Sequence, residues 1–399
     1  MRWIPGGVTA AVGFRASGVS AGLKRSRKPD MALVVSEVPA VCAGTFTTNR
    51  VKAAPVLLSR ARLQGGLASA AFLNSGCANC LTGERGLQDA VELSREVARA
   101  LGVAPQRILI GSTGMIGRWL PVPRMRRVVP ELVRRLSRSG HHRAALAIQT
   151  TDRKVKEAAV AERIGGRVCH LGGMAKGAGM IAPSMATMLG VLTTDVAIGQ
   201  PLLRAMLREA VGSSFNRISV DGDMSTNDTV FILANGRSGV RIRRGTQAAT
   251  QFARLLNDVT KRLASLIVED GEGATRVATI EVAHARTDAE ALRCARQIAS
   301  SSLVRTMLAG GDPNVGRIAA AAGASGAWFR PDELDIRIGG QTMVRCGVAK
   351  AIGKALARRL VAGRDVLIQV DLRAGSGRAR MVTCDLTEAY VRLNASYPS

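Results

Sequence analysis

A threonine follows an alanine at Ala186-Thr187, inside the segment KGAGMIAPSMATMLGVLTTD of residues 176–195. Glycines 172, 173, 177 and 179 lead up to it, and Ala182-Pro183-Ser184 reads as a turn. The apolar run 185–192 predicts a buried strand. A threonine hydroxyl at the head of such a strand can attack the carbonyl just before it. If that peptide bond breaks, the new chain starts with Thr187, which carries its own base, the freed α-amine. Before the break the same nitrogen is an amide and cannot act as a base, so activity would depend on processing. The competing account of Thr187 is a β-branched residue inside a core strand, where such residues are common.

Acyl transfer through a threonine ester also needs donors for the oxyanion and groups that grip the substrate. GSTGMIG, 111–117, follows the apolar run 108–110 and forms a small turn able to offer a hydroxyl and a backbone N–H together. An ordinary strand-to-helix turn would look the same. Lys176 stands before Thr187 and offers a cation for a substrate carboxylate, or simply a surface charge. Glu272 lies between Gly271 and Gly273, which let a backbone approach closely. Its carboxylate can pair with a substrate amine, although 270–273 also suits a polar turn. Asp221, Asp223, Asn227 and Asp228 crowd together without the glycine and terminal glutamate of a calcium loop. They read as a hydrogen-bonded framework near the site. Cys77 and Cys80 form one C-x-x-C with no second pair, and His141, His142, His170 and His284 show no ligand spacing. No metal and no other cofactor is expected.

The elements that must position these groups alternate along the chain. Residues 32–38, 68–73, 278–283 and 366–372 read as strands, and ATIEVA at 278–283 alternates with period two. Residues 87–101 place Ala90, Val91, Val97, Ala98 and Leu101 on one helical face, and 202–211, 252–266 and 289–299 show the same amphipathic spacing. Mixed helices and strands predict an α/β fold of layers. The one boundary with functional meaning is Ala186/Thr187. It separates residues 1–186 from 187–399 inside a single interleaved fold, because the nucleophile strand must pack against elements from both sides.

Composition sets the class. The 399 residues are 47% hydrophobic, enough for a large core, and no run of about 18 apolar residues suggests a membrane span. The N-terminus is broken by Gly6, Gly7 and Arg15 and does not resemble a secretory signal. Seven scattered cysteines are not a disulfide framework. A cytoplasmic location is expected. The formal charge is +26, and of 56 basic residues only nine are lysine. A pI near 11.3 suggests polyanions, but the arginines are spread along the whole length. Aromatic residues make up 3%, too few for stacking platforms. No specific nucleic-acid partner is expected.

Ten segments stand in order along the chain: GFRASGVSAGLK (13–24), TFTTNRVKAAPV (45–56), NSGCAN (74–79), GSTGMIG (111–117), QTTD (149–152), the segment around Thr187, SFNRISVDGDMSTND (214–228), DGEGAT (270–275), GGDPNVGRIAAAAG (310–323) and YVRLNASYPS (390–399). Together they resemble the ornithine acetyltransferases, also called the bifunctional glutamate N-acetyltransferases of arginine biosynthesis. The resemblance implies a layered α/β sandwich with a self-processing N-terminal threonine. It implies an α-chain of 1–186 and a β-chain of 187–399, associated as α2β2. It implies transfer of acetyl from N2-acetyl-L-ornithine to L-glutamate through Thr187, with Thr113 and Gly114 as the oxyanion hole. Thr150, Lys176, Thr187, Glu272, Asn394 and Ser399 match the substrate contacts. Some members also take acetyl from acetyl-CoA, for which no clear motif stands in this sequence. The chain departs from the pattern at Ser184, usually Asn, at Val315, often Trp, and at Ser399, usually Thr. Two other readings compete: a self-processing threonine amidohydrolase or aminopeptidase, and a polyanion-binding protein.

Overall fold

The computed structural model describes residues 1–182 and 188–396. Thr187, Ala186, Ser184 and Ser399, all singled out above, lie outside the described residues. The fold is α/β, with two large sheets and helices packed against them.

Among the described residues, nine strands form the first sheet. In spatial order eight run Arg2–Trp3, Lys156–Ile164, Arg167–Lys176, Leu189–Thr194, Thr229–Ala234, Met31–Phe46, Leu67–Cys77 and Ile108–Met115. Phe14–Val19 pairs alongside Met31–Phe46. The expected strand at 185–192 corresponds to Leu189–Thr194, buried at every residue because neighbours cover both faces and both edges. It pairs antiparallel with Arg167–Lys176, matching Leu189 to Lys176, and parallel with Thr229–Ala234, matching Leu189 to Thr229. Two strands from after the Ala186/Thr187 junction are therefore enclosed between strands from before it in one sheet.

The strand expected at 32–38 runs much further, as Met31–Phe46. Pro39 lies within it and has no N–H to give the ladder. Its pairing with Leu67–Cys77 shifts register between Val35 and Ala40 and then resumes.

Helices close the first sheet. Gln247–Glu269 is capped by the Thr246 hydroxyl, which accepts from the Ala249 N–H at 3.2 Å. Its Leu256, Leu263 and Ile267 join Leu171, Leu192, Phe215 and Ile232 in one core. Gly83–Leu101 and Val122–Arg134 bury Leu93, Val97, Met125 and Leu132 against Leu33, Phe72 and Ile110. The second sheet comprises Ile218–Ser219, Gly377–Cys384, Val277–Ala285, Asp365–Asp371, Asp335–Ile338, Gln341–Arg345 and Val348–Ala349. Ala278, Ile280 and Val282 are buried while Thr279, Glu281 and Ala283 are partly open, the alternation read from ATIEVA. Asp288–Ser300 covers this sheet through Ala291, Cys294, Ala295 and Ile298. No described helix is long and apolar enough to cross a membrane.

Candidate active site

The strand after the junction delivers the site. Met188 is the first described residue beyond Thr187. Its N–H donates to Asp228 Oδ1 at 2.9 Å, and its carbonyl accepts from the Thr229 N–H at 3.0 Å. Residue 188 is thus tied on both its N–H and its carbonyl to the start of Thr229–Ala234.

Lys176 ends the strand on one side. Its ammonium is almost wholly buried, 3.5 Å from Thr113 Oγ1 and 4.0 Å from Asp152 Oδ2. Burial pulls its pKa down, and Asp152, Glu272 and Asp228 oppose the shift. The Thr113 oxygen accepts from Lys176, so the hydroxyl's own proton is free for another acceptor. Thr113 is buried on Ile108–Met115, and Gly114 after it has φ 127°. A Cβ at Gly114 would run into the backbone of Gly76 and Cys77, so this turn needs glycine. Asn227 fixes the turn from the other side, donating from Nδ2 to the Ser112 carbonyl at 2.9 Å and the Ala78 carbonyl at 2.6 Å.

Glu272 arrives from the end of the long helix Gln247–Glu269. Its N–H donates to the Ala178 carbonyl at 2.8 Å. The carboxylate lies flat against Gly179, where an added Cβ would stand 2.5 Å from it. Asn394, on the C-terminal helix Glu388–Ser396, donates from Nδ2 to Glu272 Oε2 at 2.9 Å. The structure therefore brings Thr113, Gly114 and Lys176 together, and Glu272 together with Asn394. The backbone from Lys176 to Gly179 connects the two sets. Thr150 joins through Asp152, whose Oδ2 accepts the Thr150 N–H at 2.9 Å.

The hub of this arrangement is a buried ion cluster. Lys156 Nζ donates to Asp152 Oδ1 at 2.6 Å and to Asp270 Oδ2 at 2.7 Å, and all three side chains are at most 1% exposed. Asp152 also accepts the Gly177 N–H at 2.7 Å. Burial alone would raise the Asp152 pKa, but Lys176, Lys156 and these hydrogen bonds outweigh it and hold the carboxyl well below the usual range. Asp270 accepts the N–H groups of Arg153 and Lys154 at 3.0 and 3.1 Å. One lysine thus binds the Thr150 loop, the approach to Gly177 and the helix end that carries Glu272. Reading the sequence missed this role of Lys156, Asp152 and Asp270. The acidic and amide cluster is a hydrogen-bonded framework, as expected. Asp221 accepts the Met180 and Ile181 N–H groups, and burial raises its pKa to about 6.

Beside Thr150 opens a cavity of about 270 Å³, walled by Lys24, Arg25, Gly76, Met115 and Arg118. Lys24 donates from Nζ to the Pro29 carbonyl at 2.7 Å, and burial pulls its pKa down to about 8 against the attraction of Asp30 and Asp152. Cys77 and Cys80 are free thiols, both buried. Among the described residues no three His, Cys, Asp or Glu side chains converge on a metal position.

The sequence model of the ArgJ family matches residues 15–399. The chain is 46% identical over 400 residues to the arginine biosynthesis bifunctional protein ArgJ of Symbiobacterium thermophilum, covering 100% of each. It is 46% identical over 411 residues to the protein of the same name from Thermosynechococcus vestitus, covering 99% of this chain and 98% of the relative. Among solved structures it is similar to arginine biosynthesis bifunctional protein ArgJ from Bacillus halodurans, with TM-score 0.50 and 36% identity over 51% of this chain and 97% of the solved one.

Proposed function

Because the chain belongs to the ArgJ family, it is an acetyl-transferring enzyme of arginine biosynthesis, and we propose that the acetyl group travels on the Thr187 hydroxyl from N2-acetyl-L-ornithine to L-glutamate. The observation that carries this reading is the contact of Lys176 with Thr113 at 3.5 Å, on the strand that pairs directly with the one following Thr187.

Self-cleavage at Ala186/Thr187 frees an α-amine on Thr187. The amine takes the hydroxyl proton as the oxygen attacks the acetyl carbonyl. Negative charge collects on the carbonyl oxygen, and the Thr113 O–H and Gly114 N–H donate to it. Lys176 occupies the Thr113 oxygen and so turns that O–H toward the developing charge. A donor of this kind contributes about 2.7–4 kcal/mol in the transition state. Collapse breaks the bond to nitrogen, and ornithine leaves with the proton. The glutamate amine then attacks the threonine ester and carries the acetyl away. Glu272, held by Asn394, offers an anion to substrate ammonium groups, while Lys176 and the basic cavity beside Thr150 offer cations to carboxylates. Ser399 completes the matched contacts. Acetyl-CoA is a second donor in this reading.

Processing is supported by the length of the Bacillus halodurans chain, about half of the present one, which is what a cut near the middle leaves. The fragments 1–186 and 187–399 stay together because strands of the second are enclosed between strands of the first in one sheet, and two such pairs assemble as α2β2 in the cytoplasm. Intact-mass measurement tests the mechanism. Acetylornithine alone should add one acetyl group to the fragment that starts at Thr187, and glutamate should remove it. Initial-rate plots should be parallel. Intersecting lines, with no acetylated fragment at any time, would instead indicate direct transfer in a ternary complex.

A further inference from the structure

Asp228 is wholly buried just before Thr229–Ala234, beside the start of the strand that follows the junction. One carboxyl oxygen accepts the Met188 N–H at 2.9 Å. The other, Oδ2, is buried and has no hydrogen-bond partner among the described residues. The Thr47 hydroxyl lies nearby, but its single proton goes to the Ser225 carbonyl at 2.7 Å. An unpartnered buried carboxyl oxygen is costly and calls for a reason. Met188 follows Thr187 directly in the chain, so this carboxyl holds the backbone N–H of the residue next to the proposed nucleophile.

We propose that Asp228 is the proton relay of self-cleavage at Ala186/Thr187, a role that rests on the processing proposed above. The Thr187 oxygen forms a bond to the Ala186 carbonyl carbon. The bond from that carbon to the Thr187 nitrogen breaks as Asp228 passes its proton to the nitrogen. The proton released by the hydroxyl returns to Asp228, which ends neutral. Water then hydrolyses the ester, restoring the Thr187 hydroxyl, and the proton of the new Ala186 carboxyl moves to the amine. A relay must hold a proton at neutral pH. Burial keeps the Asp228 pKa well above the usual carboxylate range, although the Met188 N–H and Lys176 pull the other way. Lys176 and Asp228 flank opposite edges of the Leu189–Thr194 strand, where Leu189 pairs with Lys176 on one side and with Thr229 on the other.

Asp228→Asn tests this directly. Its amide oxygen still accepts the Met188 N–H, and its size is unchanged, but it has no acidic proton. The full chain, made by cell-free translation and chased on a denaturing gel, should cleave at least about 10²-fold more slowly in this variant than in the wild type. Cleavage at the wild-type rate would overturn the proposal. Should Asp228→Asn lower the melting transition, Asp228→Ala with added formic acid decides: restored cleavage supports the relay, and none overturns it. Thr187→Ala separates the two levels of the argument. Cleavage in Thr187→Ala removes the nucleophile itself, whereas an intact Thr187→Ala beside a normally cleaving Asp228→Asn removes only the relay.

Discussion

Replacing Lys156 by methionine removes the one cation that both Asp152 and Asp270 share. The two carboxylates lie within 2.6 and 2.7 Å of the same nitrogen, so they stand no more than about 5 Å apart. At an effective dielectric of about 20, two like charges at that distance repel by about 3 kcal/mol. Each keeps some donors: Asp152 retains Thr150 and Gly177, and Asp270 retains Arg153 and Lys154. Losing one member of a buried charge cluster costs about 3–5 kcal/mol. With about 2.1 cal/mol/K of unfolding entropy per residue, 4 kcal/mol lowers the melting temperature of a chain this size by about 5 °C. The variant relieves the repulsion by protonating one carboxyl. That group's folded pKa then exceeds its unfolded value, so its stability contribution is present at low pH and lost as pH rises. The deficit should therefore be smaller at pH 5 than at pH 8. Urea titrations at both values measure it. Adding Asp270→Asn should recover part of the loss, because one charge then remains. A deficit below about 1 kcal/mol, or one equal at pH 5 and pH 8, would refute the argument that this cluster is held by its lysine. KM should rise in the same variant, since Asp152 is 4.0 Å from Lys176 and also braces Thr150.

Thr113→Ala should lower kcat by about 10²- to 10³-fold with little change in KM, because an oxyanion donor acts in the transition state; steady-state rates separate the two. Lys24 should react unusually fast with an acetylating reagent. A pKa of about 8 leaves about half of it neutral at pH 8, on the order of 10²-fold more than an amine of ordinary pKa. Peptide mapping should show its labelling rate falling about tenfold per unit below pH 7.

Much of the architecture was legible because burial writes a period into sequence. The strand Val277–Ala285 and the helix Gly83–Leu101 were visible as alternation and as an apolar face. The second half of Met31–Phe46 was hidden by Pro39, which breaks the local pattern while partners on both sides carry the strand past it. Thr113, Gly114, Lys176, Glu272 and Asn394 were named from motifs, and described geometry gathers them in two linked sets. Lys156 was invisible for a different reason. In KEAAVAERI it looks like a surface charge at a strand end, and its partner Asp270 is 114 residues away. Pairing of that kind has no local signature. The carboxyl of Asp228 was seen as framework, but its oxygen without a partner among the described residues is a property of packing alone.

The sheet has a consequence for the lifetime of the protein. Arg167–Lys176 and Leu189–Thr194 are neighbours in one sheet and close in sequence, so in the uncut chain they find each other as a first-order event across a short sequence separation. Once the bond between residues 186 and 187 is gone, the same pairing joins two separate molecules, and its rate depends on their concentration. Apart, the fragments expose matching sheet edges, the kind of surface that recruits wrong partners. Under the proposed cleavage, maturation would work as a ratchet: the fold would assemble once with the help of its own connectivity and then discard it. What would preserve the cleaved molecule afterwards is slow unfolding rather than ready refolding.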